Sequence, residues 1–426
     1  MGVKIPHLDS ETSQRKVSVS VNPISNVTTS EIKKKNLLEE EAFEPPGDEF
    51  EDNSKIPKLS YWKIFLLFLN FGFHAWGGPV AQIALFKDRL VTEGGWITVG
   101  RFNRVYGVYQ LIPGPEATEL AIYFGSLAGG RIGGVLGGLG FILPGFVLLM
   151  IFSYVYVLVG FSNQYFNASF RCLQPIVAAM VLRAVHKIGE HTFISNRTKR
   201  FNIWLFGLAG IPSLDSLGLG VAPTPSPGHI FALGLIAGTL SFGGAYTVIP
   251  IIQAEAVTIG HWMTQQTYLD ALAIGNILPT PLVMFSTFIG FQAGNTFGGI
   301  GYAFLESILV TLAVFIPCFL MAVMGNTILE KVVRNKFCAA FFDGITGSVV
   351  GLIAVTALDL LKSSITTSTV LINISDDEKP LISAQHNSIA AVVYMISLAA
   401  LYSFKTPYLP LLLVIFGAIV GQFLFV

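Results

Sequence analysis

From Tyr61 to Val426, apolar runs of bilayer-spanning length follow one another almost without interruption. They lie near 61–86, 113–130, 132–160, 172–193 and 201–222, and again near 231–252, 274–293, 300–325, 338–361, 388–404 and 407–426. In lipid every backbone N–H and C=O must be paired within the protein, which leaves helices and closed barrels as the only spanning structures. A barrel strand needs only about ten residues, so runs of this length favour helices. The pattern predicts an all-α polytopic membrane protein with about 10–12 membrane segments, its natural partner being the lipid bilayer. Charge agrees, since only 12% of residues are Asp, Glu, Lys or Arg, where a soluble domain carries about 25%.

That charge is segregated. Residues 1–60 hold 8 Lys and Arg and 11 Asp and Glu out of 26 of each in the whole chain. With "EIKKKNLLEEEAFEPPGDEFEDN" at 31–53 and little to bury, 1–60 is expected to be a disordered, solvated tail. No apolar stretch follows its first basic residues, so it does not read as a signal peptide. A net charge of zero argues against a nucleic-acid partner. Cys172, Cys318 and Cys338 are too few for a disulfide framework and are expected as small buried hydrophobes. GxxxxGK[ST], HExxH, CxxC and GxSxG are all absent, so no cofactor, metal or catalytic group is expected.

The apolar region is duplicated. Shifted by 166 positions, residues 65–119 match the second half at 14 of 55 places without a gap. Gly77-Gly78 align with Gly243-Gly244, Trp96 with Trp262, Gln110 with Asn276, and Pro113 and Pro115 with Pro279 and Pro281. We therefore divide the chain into a first repeat at 61–222, a linker at 223–230 and a second repeat at 231–426. Basic residues alternate between the copies. Lys87, Arg89, Arg101 and Arg104 in 87–104 have no Lys or Arg counterpart in 253–270, whereas 331–336 is more basic than 161–171. Cytoplasmic loops collect Lys and Arg, so this alternation favours two repeats of inverted topology, as in many transporters.

Each copy is interrupted twice where a membrane helix would run on. "FHAWGGPVAQIALF" at 73–86 is matched by "SFGGAYTVIPII" at 241–252, and "LIPGPEATELAIYFG" at 111–125 by Pro279-Thr280-Pro281. Broken backbone survives in a membrane only where it lines a cavity or is covered by protein. The helix that resumes after a break offers free N–H groups and the positive end of its dipole to an anion. Glycine permits close approach, and proline fits the first turn. The expected substrate-binding set is thus Gly77, Gly78, Pro79, Gln110, Pro113, Gly114, Pro115, Gly243, Gly244, Asn276, Pro279, Thr280 and Pro281. Gln110 and Asn276 would either supply amide donors without the cost of burying a charge or make hydrogen bonds that serve helix packing.

Glu116 and Glu119, one turn apart at the start of a membrane helix, either cap it or carry a coupled proton. Their counterparts Leu282 and Phe285 are apolar, which confines any such role to the first copy. Asp270 and Arg104 align with opposite sign and stand too far from the breaks in sequence to be assigned a role. His74 is expected to pack rather than bind. The glycines spaced by four from Gly125 to Gly137 are expected to bring helices into close contact.

"WGGPVAQIA", "RFNRVYGVYQLIPGPEATELAIYFG" and "GGVLGGLGFILPGFVLL", with "YLDALAIGNILPTPLVMFSTFIGFQAG" in the second copy, resemble the chromate ion transporter family in its long, two-domain form. The resemblance covers about 61–426, and the charged tail points to a eukaryotic member. It implies an integral, multi-pass carrier that exports chromate, with sulfate as an analogue, driven by the proton gradient through oppositely oriented halves. The plasma membrane is the expected location, and a homo-oligomer is left open. The second copy departs from the family by carrying Thr280 where glycine is usual. An anion channel, or a receptor without transport activity, stands as the alternative.

Overall fold

The computed structural model describes residues 53–76, 78–110, 112–159, 163–194, 224–241, 245–324, 336–366, 379–404, 406 and 409–425. Residues 1–52 of the charged tail, the apolar run at 201–222 and residues Gly77, Gly243 and Gly244 lie outside the described residues, whereas the tail's end is held, with the Leu59 N–H donating to the Ala128 carbonyl at 3.3 Å. Among those described, all regular structure is helical. The helices are α1 (Tyr61–His74), α2 (Gly78–Phe86), α3 (Val99–Tyr109), α4 (Glu116–Val159) and α5 (Gln164–Ile194). They continue as α6 (Pro227–Thr239), α7 (Val248–Gln253), α8 (Gln265–Ile277), α9 (Phe285–Gly298) and α10 (Ile300–Met324). The last three are α11 (Lys336–Ile365), α12 (Lys379–Ser403) and α13 (Leu409–Leu424). Segments in α4, α5, α10 and α12 are each long and apolar enough to cross a membrane.

The 166-residue spacing recurs in backbone detail. A π-helical turn follows α2 at Lys87–Glu93 and follows α7 at Ala254–Ile259. Two residues beyond each, the backbone takes a positive φ, 60° at Gly95 and 51° at His261. The next N–H then reaches back six residues, from Trp96 to the Leu90 carbonyl and from Trp262 to the Ala256 carbonyl, both at 2.9 Å. Thr98 and Thr264 cap the helices that follow, each hydroxyl accepting from the N–H three residues on at 3.2 Å. Trp96 and Trp262, and Thr98 and Thr264, are identical between the copies, whereas the positive-φ position is glycine in one and histidine in the other.

The expected runs 113–130 and 132–160 join in α4, which folds back on itself. Gly129 (φ −149°, ψ 24°) and Gly130 (φ 66°, ψ −163°) leave helical geometry. A Cβ on Gly125 would lie 2.4 Å from the Gly133 carbonyl, so the two arms touch backbone to backbone. In the second copy Gly299, at φ 78°, separates α9 from α10, and a Cβ on Gly294 would meet the Tyr302 carbonyl at 2.4 Å. Each hairpin packs its long arm against the first helix of its copy, α1 in one and α6 in the other. A Cβ on Gly140 would strike the Phe65 carbonyl at 2.6 Å, and one on Gly238 the Val314 carbonyl at 2.3 Å. The glycines expected to serve packing do so.

Helix α5 packs against α11, α12 and α13. The outward faces are apolar, with Phe423 83% and Phe416 68% exposed. A soluble monomer rarely leaves so much apolar surface uncovered; in a bilayer the acyl chains cover it.

Candidate functional site

The first break of the first copy lies between α1 and α2. Helix α1 stops at His74, Ala75 turns out of helical geometry, and Gly78 re-enters the chain at φ 77°. Pro79 occupies the second position of α2, where a missing N–H costs nothing. The His74 ring bonds to the Asn70 carbonyl on its own helix at 2.8 Å, a local role rather than a ligand contact. The second break, Pro113-Gly114-Pro115, is buried and precedes Glu116, the first residue of α4. In the second copy Leu278 ends α8 in an extended conformation, and Pro279, Thr280 and Pro281 are buried before the 3-10 turn Leu282–Met284.

The breaks of the two copies meet crosswise. Gln82 on α2, 1% exposed, donates its amide to the Ala75 carbonyl at 3.1 Å and to the Thr280 carbonyl at 2.8 Å. It thereby ties the first break of one copy to the second break of the other. Reciprocally, the Gly114 N–H donates to the Ser241 carbonyl at 3.3 Å, immediately before the first break of the second copy. Adding 166 to Ala75 gives Ser241, and subtracting it from Thr280 gives Gly114. A contact that returns when the copies are exchanged is the mark of a two-fold relation.

Each second break is also covered by the long helix of the other copy. A Cβ on Gly145 of α4 would lie 2.4 Å from the Thr280 Cβ, and one on Gly114 would lie 3.0 Å from the Cys318 Cβ of α10. Gly114 carries φ 151°, and its α-carbon faces the Glu119 carboxylate, 2.7 Å from where a Cβ would be. Glu119 is 0% exposed, and both of its carboxylate oxygens are buried without a hydrogen-bond partner. Glu116 is half-buried, with Lys187 of α5 within charge–charge range but not in ion-pair contact.

The polar groups expected at the breaks are oriented as follows. Asn276 donates its amide to the Leu272 carbonyl of its own helix at 2.8 Å, and the Thr280 hydroxyl donates to the Pro281 carbonyl at 2.8 Å. The Thr280 N–H turns back to the Leu278 carbonyl at 2.8 Å. Gln110 is the half-buried cap of α3. In this conformation the Thr280 donors serve the backbone of their own break and Asn276 serves its own helix, while the bond from Gly114, at 3.3 Å, is long.

Sequence reasoning missed two polar elements. Gln82 announces itself only as an amide inside an apolar run, four residues past a break. Asp270, 1% exposed on α8, accepts from the Tyr156 hydroxyl at 2.7 Å and from the Gln174 amide at 2.9 Å. It fastens α4 and α5 of the first copy to the second. Its partners lie 114 and 96 residues away, beyond any local signal. Cys172 and Cys318 are free and buried, and no group of three or more His, Cys, Asp or Glu residues poised for a metal occurs among the described residues.

Helices with lipid-facing apolar surfaces, interrupted at paired and mutually braced breaks, define an all-helical polytopic membrane protein of transporter type. The chain belongs to the chromate transporter family, whose model matches it twice, over residues 62–220 and 228–422. It is 39% identical over 351 residues to a chromate transport protein of Pseudomonas aeruginosa, covering 72% of this chain and 82% of that one. A chromate transport protein of Cupriavidus metallidurans is 26% identical, covering 72% and 84%. A probable chromate transport protein of Synechococcus elongatus is 25% identical, covering 72% and 86%. No solved structure matches the chain.

Proposed function

We propose that this protein is a secondary carrier that moves chromate, or a related tetrahedral oxyanion such as sulfate, out across the plasma membrane in exchange with the proton gradient. The observation that carries this reading is the crosswise bracing of the breaks by Gln82 and Thr280 and by Gly114 and Ser241. It joins the interruptions in two crosswise pairs, each with one member from either repeat, which supports two halves of inverted topology meeting near the bilayer midplane. The names of the three relatives supply the anion.

The anion would lie against Gly77, Gly78, Pro79, Pro113, Gly114 and Pro115 from one copy and Gly243, Gly244, Pro279, Thr280 and Pro281 from the other. Gln110 and Asn276 close the two ends. At 3.3 Å the bond from Gly114 to Ser241 is weak. An oxyanion would replace it with a shorter, charge-assisted bond, and the breaks would part as one half rocks against the other. Helix ends contribute roughly 0.3–2 kcal/mol each, which gives the modest affinity that release requires. Glu119, buried beside Gly114 without a hydrogen-bond partner, would exchange a proton as the anion arrives.

The test is uptake of labelled chromate by purified protein in liposomes, with and without an imposed pH gradient and with sulfate as competitor. Saturable uptake that rises with the gradient is expected. Chromate movement no faster than in protein-free vesicles would overturn the reading.

A further inference from the structure

A second buried carboxylate with neither oxygen hydrogen-bonded stands outside the breaks. Glu306 lies on α10, 0% exposed, and both of its side-chain oxygens are buried without a hydrogen-bond partner. The segment around it is apolar enough to cross a membrane. Holding an ionised carboxylate in such surroundings without a partner is costly, which makes an intramembrane carboxylate a functional candidate by default. Matched through the hairpin contacts, Glu306 corresponds to Gly137 of the first copy. A Cβ on Gly137 would meet the Ala121 carbonyl at 2.7 Å, and one on Gly290 would meet the Glu306 carbonyl at 2.8 Å, both pairs sixteen residues apart. In the second copy Gly290 supplies the glycine of this crossing and Glu306 only its backbone, so the close contact sets no demand for a glutamate side chain.

Among the described residues no ion pair or side-chain hydrogen bond compensates it. Helix α9 contributes no titratable residue, and α6 contributes only His229, whose Nδ1 is engaged by the Ser226 hydroxyl at 2.7 Å. The titratable residues of α4 are Glu116, Glu119, Tyr123, Arg131, Tyr154 and Tyr156, and none exerts a charge interaction on Glu306; nor do Tyr302 and Cys318 of its own helix. Beside it runs a buried hydroxyl ladder. Ser307 donates to the Thr287 carbonyl at 3.1 Å, Thr287 and Thr311 share a hydroxyl bond at 2.8 Å, and Thr311 donates to the Ser307 carbonyl at 2.6 Å. Along α9, Thr287 stands between the second break and Gly290, which packs on the backbone of Glu306 roughly 14 Å from Pro281 at 1.5 Å per residue.

We infer that Glu306 is a proton-binding site of the second copy, distinct from the oxyanion site, which loads and releases a proton as α10 moves against α6 and α9. The inference rests on the proton-coupled reading above for its role in transport, but not for its chemistry. Among the described residues, each copy then holds one buried carboxylate with neither oxygen hydrogen-bonded, Glu119 beside its break in the first and Glu306 on the long helix in the second.

The experiment uses the full chain in liposomes and the apolar reagent dicyclohexylcarbodiimide, which forms a stable adduct with a protonated carboxyl group in lipid-like surroundings. Mass spectrometry of the parent protein is expected to find the adduct on Glu306, with labelling that declines as pH rises. Glu306→Gln is expected to keep labelled-chromate exchange at equilibrium, which needs no net proton movement, while chromate-driven acidification or alkalinisation falls to the level of empty vesicles. Absence of the adduct in the parent protein would overturn the inference, and so would parental proton movement in Glu306→Gln. If instead the parent shows the adduct but no chromate exchange, the transport reading fails while the proton site stands.

Discussion

The side-chain amide of Gln82 donates to the main-chain carbonyl of Thr280 at 2.8 Å, joining residues 198 positions apart from opposite copies of the repeat. The same amide also satisfies the Ala75 carbonyl freed where α1 ends. One side chain therefore pairs two carbonyls that no helix can reach. Replacing it by Gln82→Leu keeps the volume and leaves both acceptors buried and unpaired. We expect a loss of about 1–3 kcal/mol for each carbonyl so stranded, and a clear fall in the temperature of unfolding in detergent. Chromate transport should fall further than the amount of folded protein. Unchanged unfolding and transport would remove Gln82 from the account.

Gly78 and Gly114 separate two causes of glycine dependence. A Cβ at Gly78 meets nothing within 4 Å, and only its φ of 77° resists a side chain. Gly78→Ala should cost roughly 1–2 kcal/mol, the penalty of left-handed backbone for an L residue. Gly114→Ala should cost more, because its Cβ would lie 2.7 Å from Glu119 Oε1 and 3.0 Å from the Cys318 Cβ, at φ 151°. Membrane yield and chromate transport of the two variants give the order; a Gly114 variant as active as the Gly78 variant would contradict it.

Asp270 should behave as a brace. Tyr156→Phe and Gln174→Leu each remove one donor to a buried carboxylate, and each is expected to cost about 1–3 kcal/mol. Because the two donors share one acceptor, the double variant should depart from the sum of the single effects. Thermal unfolding of the four proteins in the cycle measures the departure; strict additivity would argue that the bonds are independent.

Glu119 is expected to matter through its proton rather than its shape. Glu119→Gln preserves the side-chain volume above Gly114 and removes the exchangeable proton. Chromate transport measured across a pH series should become flat in this variant while equilibrium exchange persists. A pH profile identical to the parent's would leave Glu119 as packing for the break.

What the sequence reveals here is what glycine, proline and tryptophan enforce locally. The breaks at Gly78-Pro79 and at Pro113-Gly114-Pro115 are legible because few other residues fit such backbone. Trp96 and Trp262, with Thr98 and Thr264, announce a shared turn because its hydrogen bonds are local. The bracing is not legible. Gln82, Asp270 and Glu306 acquire their roles from helices far away in the chain, and periodicity in an apolar segment says nothing about which polar residue faces which neighbour. Asn276 shows the converse, since its position beside the prolines suggests an anion ligand while its amide turns back to the Leu272 carbonyl.

The central claim is that one oxyanion is carried at the crossing of the four breaks, and counterflow tests it most directly. Liposomes loaded with excess unlabelled chromate are diluted into a trace of labelled chromate at equal pH on both sides. A carrier accumulates label transiently above its equilibrium level, and the account predicts this overshoot in the parent protein and its loss in Gly114→Ala. Entry of label that relaxes to equilibrium without an overshoot, or an overshoot undiminished in Gly114→Ala, would contradict it.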